Sequence, residues 1–191
     1  MANSKHRIWE LDALRGVCIL CVIVVHFLFD LSFFGGFDLT LPGWFVFLQE
    51  YGGAIFVVLS GVCATLGSHS VRRGLIVFSA GMLITAVTYG MYKLKMAGPD
   101  VVVKFGVLHL LGVCMIVYPA FKNLSPIALA PFAAVFIAAG FAVKGLTVQP
   151  HFLFPFGLMY EGFTSSDYFP IFPQLGYFLV GAILGKTVYR E

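Results

Sequence analysis

The sequence predicts an all-α fold, a polytopic membrane bundle of about six transmembrane helices with both termini cytoplasmic. Three observations predict it. Apolar residues make up 60% of the 191 and charged residues 11%, against about 45–50% and about 25% in soluble domains. Mean hydropathy is +0.94, and a chain this short cannot bury so much apolar surface within itself. The apolar residues fall into six runs, roughly 10–33, 44–67, 73–92, 104–121, 124–142 and 168–187, each near the roughly 20 residues that cross a hydrocarbon core of about 30 Å.

Each run has its own start and stop signals. The first holds Arg15, His26 and Asp30 and is followed by five more spans, a pattern foreign to a cleaved signal peptide. The second carries Gln49, Glu50 and Tyr51 beside Gly52 and Gly53, and these glycines permit close helix approach. Arg72 and Arg73 precede the third run, and Lys104 opens the fourth with the reach to snorkel to the surface. Ser125-Pro126 starts the fifth, which contains Pro131; membrane helices tolerate proline where neighbours satisfy the freed carbonyl. Segment 143–167 is the longest connection. Its stretch 150–156 is too apolar for a free loop and too short to span, so it lies in the outer interface or folds back over the bundle. Ser165, Ser166 and Asp167 are N-cap types ahead of the sixth run.

Loop charge gives the direction. With the N-terminus inside, the inner segments carry Lys5, Arg7, Arg72, Arg73, Lys122, Lys186 and Arg190, and the outer ones Lys93, Lys95, Lys104 and Lys144. That bias obeys the positive-inside rule. The chain reads as one domain, 1–191, multi-pass in the cell inner (plasma) membrane. A net charge of +3 spread over many turns leaves no stripe for a nucleic acid and no charged tail.

Ionisable groups inside a span are costly, so each marks a candidate site. On the first helix Asp12, Arg15, His26 and Asp30 fall within about 60° of arc at 100° per residue. Asp12 and Arg15 are i,i+3 and able to pair. His26 and Asp30 are i,i+4, so the carboxylate can take one ring N–H and fix the tautomer. A histidine held this way suits proton abstraction or acyl capture. Arg15 lies about 16 Å along the axis from His26, a separation that suits a long ligand with an anionic end and a reactive end. The plainer alternative is that the stripe only glues helices together.

The block Arg7-Ile8-Trp9-Glu10-Leu11-Asp12-Ala13-Leu14-Arg15-Gly16, with His26 to Leu31 after it, resembles the catalytic domain of heparan-alpha-glucosaminide N-acetyltransferase in its short bacterial form. Two further blocks fit the same pattern: Phe105 to Gly112, and Asp167 through Pro173-Gln174-Leu175-Gly176 to Gly181. The resemblance implies a transmembrane acyltransferase that takes an acyl group from cytosolic acetyl-CoA or another acyl-CoA and places it on a sugar at the other face. The related membrane acyltransferase-3 proteins carry an arginine, ten residues and a histidine on the first helix, a spacing met by Arg15 and His26. The resemblance thus gives His26 the role of base or acyl acceptor and places Arg15 near the coenzyme. Two departures stand out. Family enzymes have about ten or eleven spans, and the lysosomal enzyme uses a histidine in its first luminal loop, whereas residues 34–43 contain none. The chain is accordingly a minimal enzyme, a homodimer or a subunit.

Further candidates each carry two readings. His109, near the outer end of the fourth span, either shares a cavity with His26 or is a satisfied core histidine. Asp167 either caps a helix or helps hold an oxyanion. Glu50 is a second carboxylate for the site or an interfacial anchor. Arg72 and Arg73 bind coenzyme phosphates or only set topology. Cys18-Ile19-Leu20-Cys21 has redox spacing but lies inside a span, and no histidine spacing suits a metal. Three functions compete: an acyltransferase using acyl-CoA and a glycan or small-molecule acceptor, a proton-coupled transporter using the same stripe, and a non-catalytic membrane subunit.

Overall fold

A computed structural model describes residues 9–33 and 43–189. These residues form six α-helices: α1 (Trp9–Phe33), α2 (Gly43–Leu66), α3 (Ser70–Lys93), α4 (Val107–Val117), α5 (Pro126–Val143) and α6 (Ile171–Val188). Short 3-10 turns lie at Pro99–Val101, Tyr118–Ala120 and His151–Phe156. No strand occurs among the described residues, and the protein is an all-helical membrane protein. Among the described residues four segments are long and apolar enough to cross a bilayer, namely Trp9–Leu28, Ser70–Lys93, Pro126–Val143 and Ile171–Val188, while Val107–Ala120 is a shorter apolar helix.

The helix bounds follow local chemistry. Glu10 and Asp12 in the first turn of α1 complement the positive end of its dipole. Ser125 caps α5 by accepting from the Ala128 N–H at 3.2 Å, with Pro126 in the first turn, where its missing N–H costs nothing. Two ends differ from expectation. The fourth run was expected over 104–121, but regular α-helix covers only Val107–Val117 before Pro119 tightens the chain into a 3-10 turn. Through Ala120 this element is about 21 Å long by helix rise, short of a full hydrocarbon core. The sixth run was expected from 168, but Pro170 is the N-cap of α6 and Phe172 is still non-helical.

The chain divides into two compact units, Met1–Phe56 and Val57–Glu191. The first contains α1 and the start of α2. In the second, α3 packs on α4 and α5 on α6, with a smaller contact between α4 and α6. The end of α2 meets α6 at backbone distance: a Cβ on Gly181 would strike the Val58 carbonyl, and one on Gly61 the Phe178 carbonyl. Small residues at such crossings are how helices associate where lipid supplies no hydrophobic drive. Leu110, Leu129, Phe178, Leu179 and Val57 are fully buried and form the centre of this unit.

Its two ends are distinct. One gathers the α2–α3 and α4–α5 turns and the end of α6. There the Lys186 ammonium donates to the carbonyls of Lys122 and Leu124. The other end gathers the start of α4 and the long segment 144–170. That segment folds back over the helices: Phe105 bridges to Tyr168, Thr147 to Met159, and the Tyr168 hydroxyl donates to the Phe154 carbonyl at 2.6 Å.

Candidate functional site

One candidate site, in the 1–56 unit, is the α1 stripe. Arg15 Nη1 stands 3.8 Å from Asp12 Oδ1, so the expected i,i+3 pair is formed. His26 follows on the same helix, about 16 Å further along the axis. Asp30 and Glu50 lie within α1 and α2, but their side chains are outside those described, and with them the expected His26–Asp30 hydrogen bond. Lys5, Arg7, Arg190 and the first connection, 34–42, are likewise outside the described residues.

A separate candidate, in the 57–191 unit, is the start of α4. His109 is buried, 2% exposed, as the third residue of the helix. The Gly106 N–H donates to His109 Nδ1 at 3.2 Å, so Nδ1 carries no proton. Nε2–H then points to Thr85 Oγ1 at 3.2 Å, and that hydroxyl gives its own proton to the Val103 carbonyl at 2.7 Å. One tautomer of neutral imidazole satisfies the whole chain of donors and acceptors. The ring stacks on Phe105 and meets the edge of Phe78, both at 5.5 Å between centroids. Gly81 of α3 makes room for it, since a Cβ there would come within 3.0 Å of Nδ1. To accept a proton or an acyl group, this imidazole must first release the Gly106 N–H or turn away from Thr85.

Asp167 caps α4 rather than α6. Its Oδ2 accepts from the Val107 N–H at 3.0 Å, sixty residues away in sequence. A carboxylate there satisfies an orphan donor and faces the positive end of the helix dipole. Gly106 is required beside it, because a Cβ would occupy the carboxylate's own position. His109 reaching back to the N-cap N–H completes the cap in the manner of a capping-box side chain.

Around this cap the 144–170 segment is held by Lys104. Its ammonium donates to the Tyr160 hydroxyl at 2.8 Å and sits 4.6 Å from the Phe163 ring centroid and 5.2 Å from that of Tyr160. The Lys104 N–H donates to Ser165 Oγ at 3.1 Å, and Ser165 donates in turn to the Asp167 carbonyl at 2.8 Å. Lys104 thus anchors a loop instead of snorkelling freely. Burial pushes the Tyr168 phenol up to about 12; Tyr168 precedes the membrane-spanning part of α6.

Thr85 and Thr88 are the members that sequence reasoning passed over. They stand one turn apart on an apolar helix, and Thr88 Oγ1 accepts from the Val103 N–H at 3.1 Å while Thr85 takes the Val103 carbonyl. Two hydroxyls at i,i+3 inside a span are a signal that something polar faces them. Among the described residues no group of three His, Cys, Asp or Glu is placed to hold a metal ion.

No curated protein and no solved structure matches the chain. The family model for heparan-alpha-glucosaminide N-acetyltransferase, catalytic, matches residues 7–191. That stretch takes in the α1 stripe, the capped start of α4, the 144–170 segment and α6, and the chain belongs to this family of membrane acetyltransferases.

Proposed function

We propose that the chain is an acyl-CoA-dependent acetyltransferase, acting as one domain over 1–191. It would carry an acetyl group from acetyl-CoA at the cytoplasmic face of the cell membrane to the amine or hydroxyl of a sugar at the other face. The observation that carries this reading is the family match over 7–191. The charge distribution supports the direction: Arg72, Lys122 and Lys186 belong to turns and helix ends at one end of the 57–191 unit, the end that the positive-inside rule assigns to the cytoplasm.

In this reading His26 is the reacting group. As a base it takes the acceptor's proton while that nitrogen or oxygen attacks the thioester carbonyl; the C–S bond breaks, and the proton passes to the departing thiolate. As a carrier it attacks the thioester itself, releases the thiol, and passes the acetyl group to the acceptor. Asp30 orients the imidazole in both routes. Arg15, held by Asp12 at 3.8 Å, faces an anionic part of the coenzyme, and Glu50 is a second carboxylate for the site. Asp167 and His109 keep the start of α4 in place. The closed hydrogen bonding of His109 favours positioning over chemistry at that residue.

The test is turnover and folded yield measured side by side on the purified full chain. His26→Ala should keep its yield and lose transfer by about 10²–10⁴ or more. Asp30→Asn should retain a weaker activity, and Arg15→Ala should raise the KM for acetyl-CoA. A well-folded His26→Ala variant with unchanged turnover would remove His26 from the mechanism.

A further inference from the structure

The depth at which α4 starts can be read against α3, which packs along it. Arg73 and Lys93 bracket an uncharged stretch of α3, about 30 Å long by helix rise, the thickness of a hydrocarbon core. His109 packs on Gly81, about 12 Å from the Arg73 level and about 18 Å from the Lys93 level. Val103 is held by Thr85 and Thr88, about 12 Å and about 8 Å below Lys93. The start of α6 is sunk as well: Gly140 of α5 abuts Pro173, about 6 Å below Lys144. Toward the end that bears Lys93 and Lys144, both α4 and α6 therefore give way to irregular chain within the thickness of the membrane.

Irregular backbone at membrane depth is tolerated only inside protein or against water, and ionisable side chains there follow the same rule. Lys104 follows Val103 directly, and Asp167 accepts from the Val107 N–H at 3.0 Å, so both belong to this level. Both are half-buried rather than enclosed, as are Phe169 and Pro170 beside them. Phe169 is fixed at the same level, its N–H donating to the Phe105 carbonyl at 2.9 Å. Buried polar atoms ordinarily have a partner; among the described residues the side-chain oxygens of Tyr118 and Gln174 do not. Gln174 is the residue after Pro173, and an ordered water is the usual partner of such a buried oxygen.

We propose that this end of the 57–191 unit is a water-filled vestibule, open at the level of Lys93 and Lys144 and ending at the α4 start near the middle of the bilayer. It admits small hydrophilic solutes to a depth that a closed helical bundle would deny them. Water in it hydrates the exposed parts of Lys104 and Asp167 and gives Gln174 Oε1 a donor. Under the proposed acetyl transfer, a polar acceptor is a solute of this kind, but the vestibule itself does not rest on that reading.

The test labels the full chain in nanodiscs with the cationic thiol reagent methanethiosulfonate ethyltrimethylammonium, read by intact mass above the parent chain's own cysteines. Phe169→Cys places a thiol in the vestibule. Val87→Cys places one on α3 about 9 Å below Lys93, at a position 56% exposed. Phe169→Cys should label about a hundredfold faster than Val87→Cys, the penalty that a charge meets in hydrocarbon. Equal rates overturn the proposal, and so does protection of both thiols in folded protein. Hydroxyl-radical footprinting of the unaltered chain gives an independent reading should Phe169→Cys fail to fold. Oxidation should fall on Tyr168 and Phe169 and spare Met82, which is 50% exposed near the middle of α3. Protection of Tyr168 and Phe169, or equal oxidation of Met82, overturns the proposal. Neither measurement uses acetyl transfer, so a chain without turnover can pass both, and failure here leaves the transferase reading to its own test.

Discussion

Tyr168 and His109 show two ways in which a single side chain holds the 144–170 segment against the helices. The Tyr168 phenol donates to the Phe154 carbonyl at 2.6 Å, and burial lifts its titration from 10.0 to about 12. Its folded value lies above its unfolded one, so its contribution is fully present below about pH 10 and is lost as the pH rises toward 12. Melting curves at pH 8 and pH 11 should show Tyr168→Phe less stable at pH 8 but with a shallower alkaline decline than the parent; equal declines would contradict this. His109 was legible as a candidate from its place in an apolar run. Its state was not, because the partners that close both ring nitrogens, Thr85 and Gly106, come from another helix and from the backbone. The Asp12–Arg15 pair was legible because both members share one helix turn. The hydroxyl of Tyr118 was invisible for the opposite reason: its lack of a partner is a property of packing, and no sequence pattern marks it.

At the scale of elements, the six runs of apolar residues matched the six helices closely, since hydropathy and the rise per residue decide span length. The ends did not all match. Ser165-Ser166-Asp167 looks like a local cap for the helix just after it, yet Pro170 starts that helix and Asp167 caps α4 from afar. Local propensity identifies a capping residue but not which helix it caps when a loop folds back. The consequence is testable by thermal denaturation of the solubilised chain. Asp167→Ala should destabilise the protein by about 0.5–2 kcal/mol, the usual loss for a cap. Asp167→Asn should recover most of this, because its amide oxygen can still accept from the Val107 N–H. Equal losses in the two variants would mean that charge, rather than the cap bond, holds the α4 start. The crossing of α2 and α6 at Gly61 and Gly181 was likewise hidden, because which glycines meet depends on how the helices pair.

At the scale of the whole molecule, the larger 57–191 unit has a basic, cavity-bearing end and an opposite end where the 144–170 segment closes over α4. The first helix carries ionisable residues at a cost in hydrocarbon, and the proposed acetyl transfer would give that cost a use. The central claim is that this chain alone transfers acetyl groups across a bilayer. The most direct measurement reconstitutes the purified protein in sealed vesicles with glucosamine inside and isotopically labelled acetyl-CoA outside, at the face bearing Arg72 and Lys122. Mass spectrometry of the vesicle contents should then find labelled N-acetylglucosamine within, formed in proportion to coenzyme thiol released outside and absent with His26→Ala. Release of thiol with no acetylated sugar, or no release at all from folded protein supplied with a panel of amino sugars and alcohols, would contradict it.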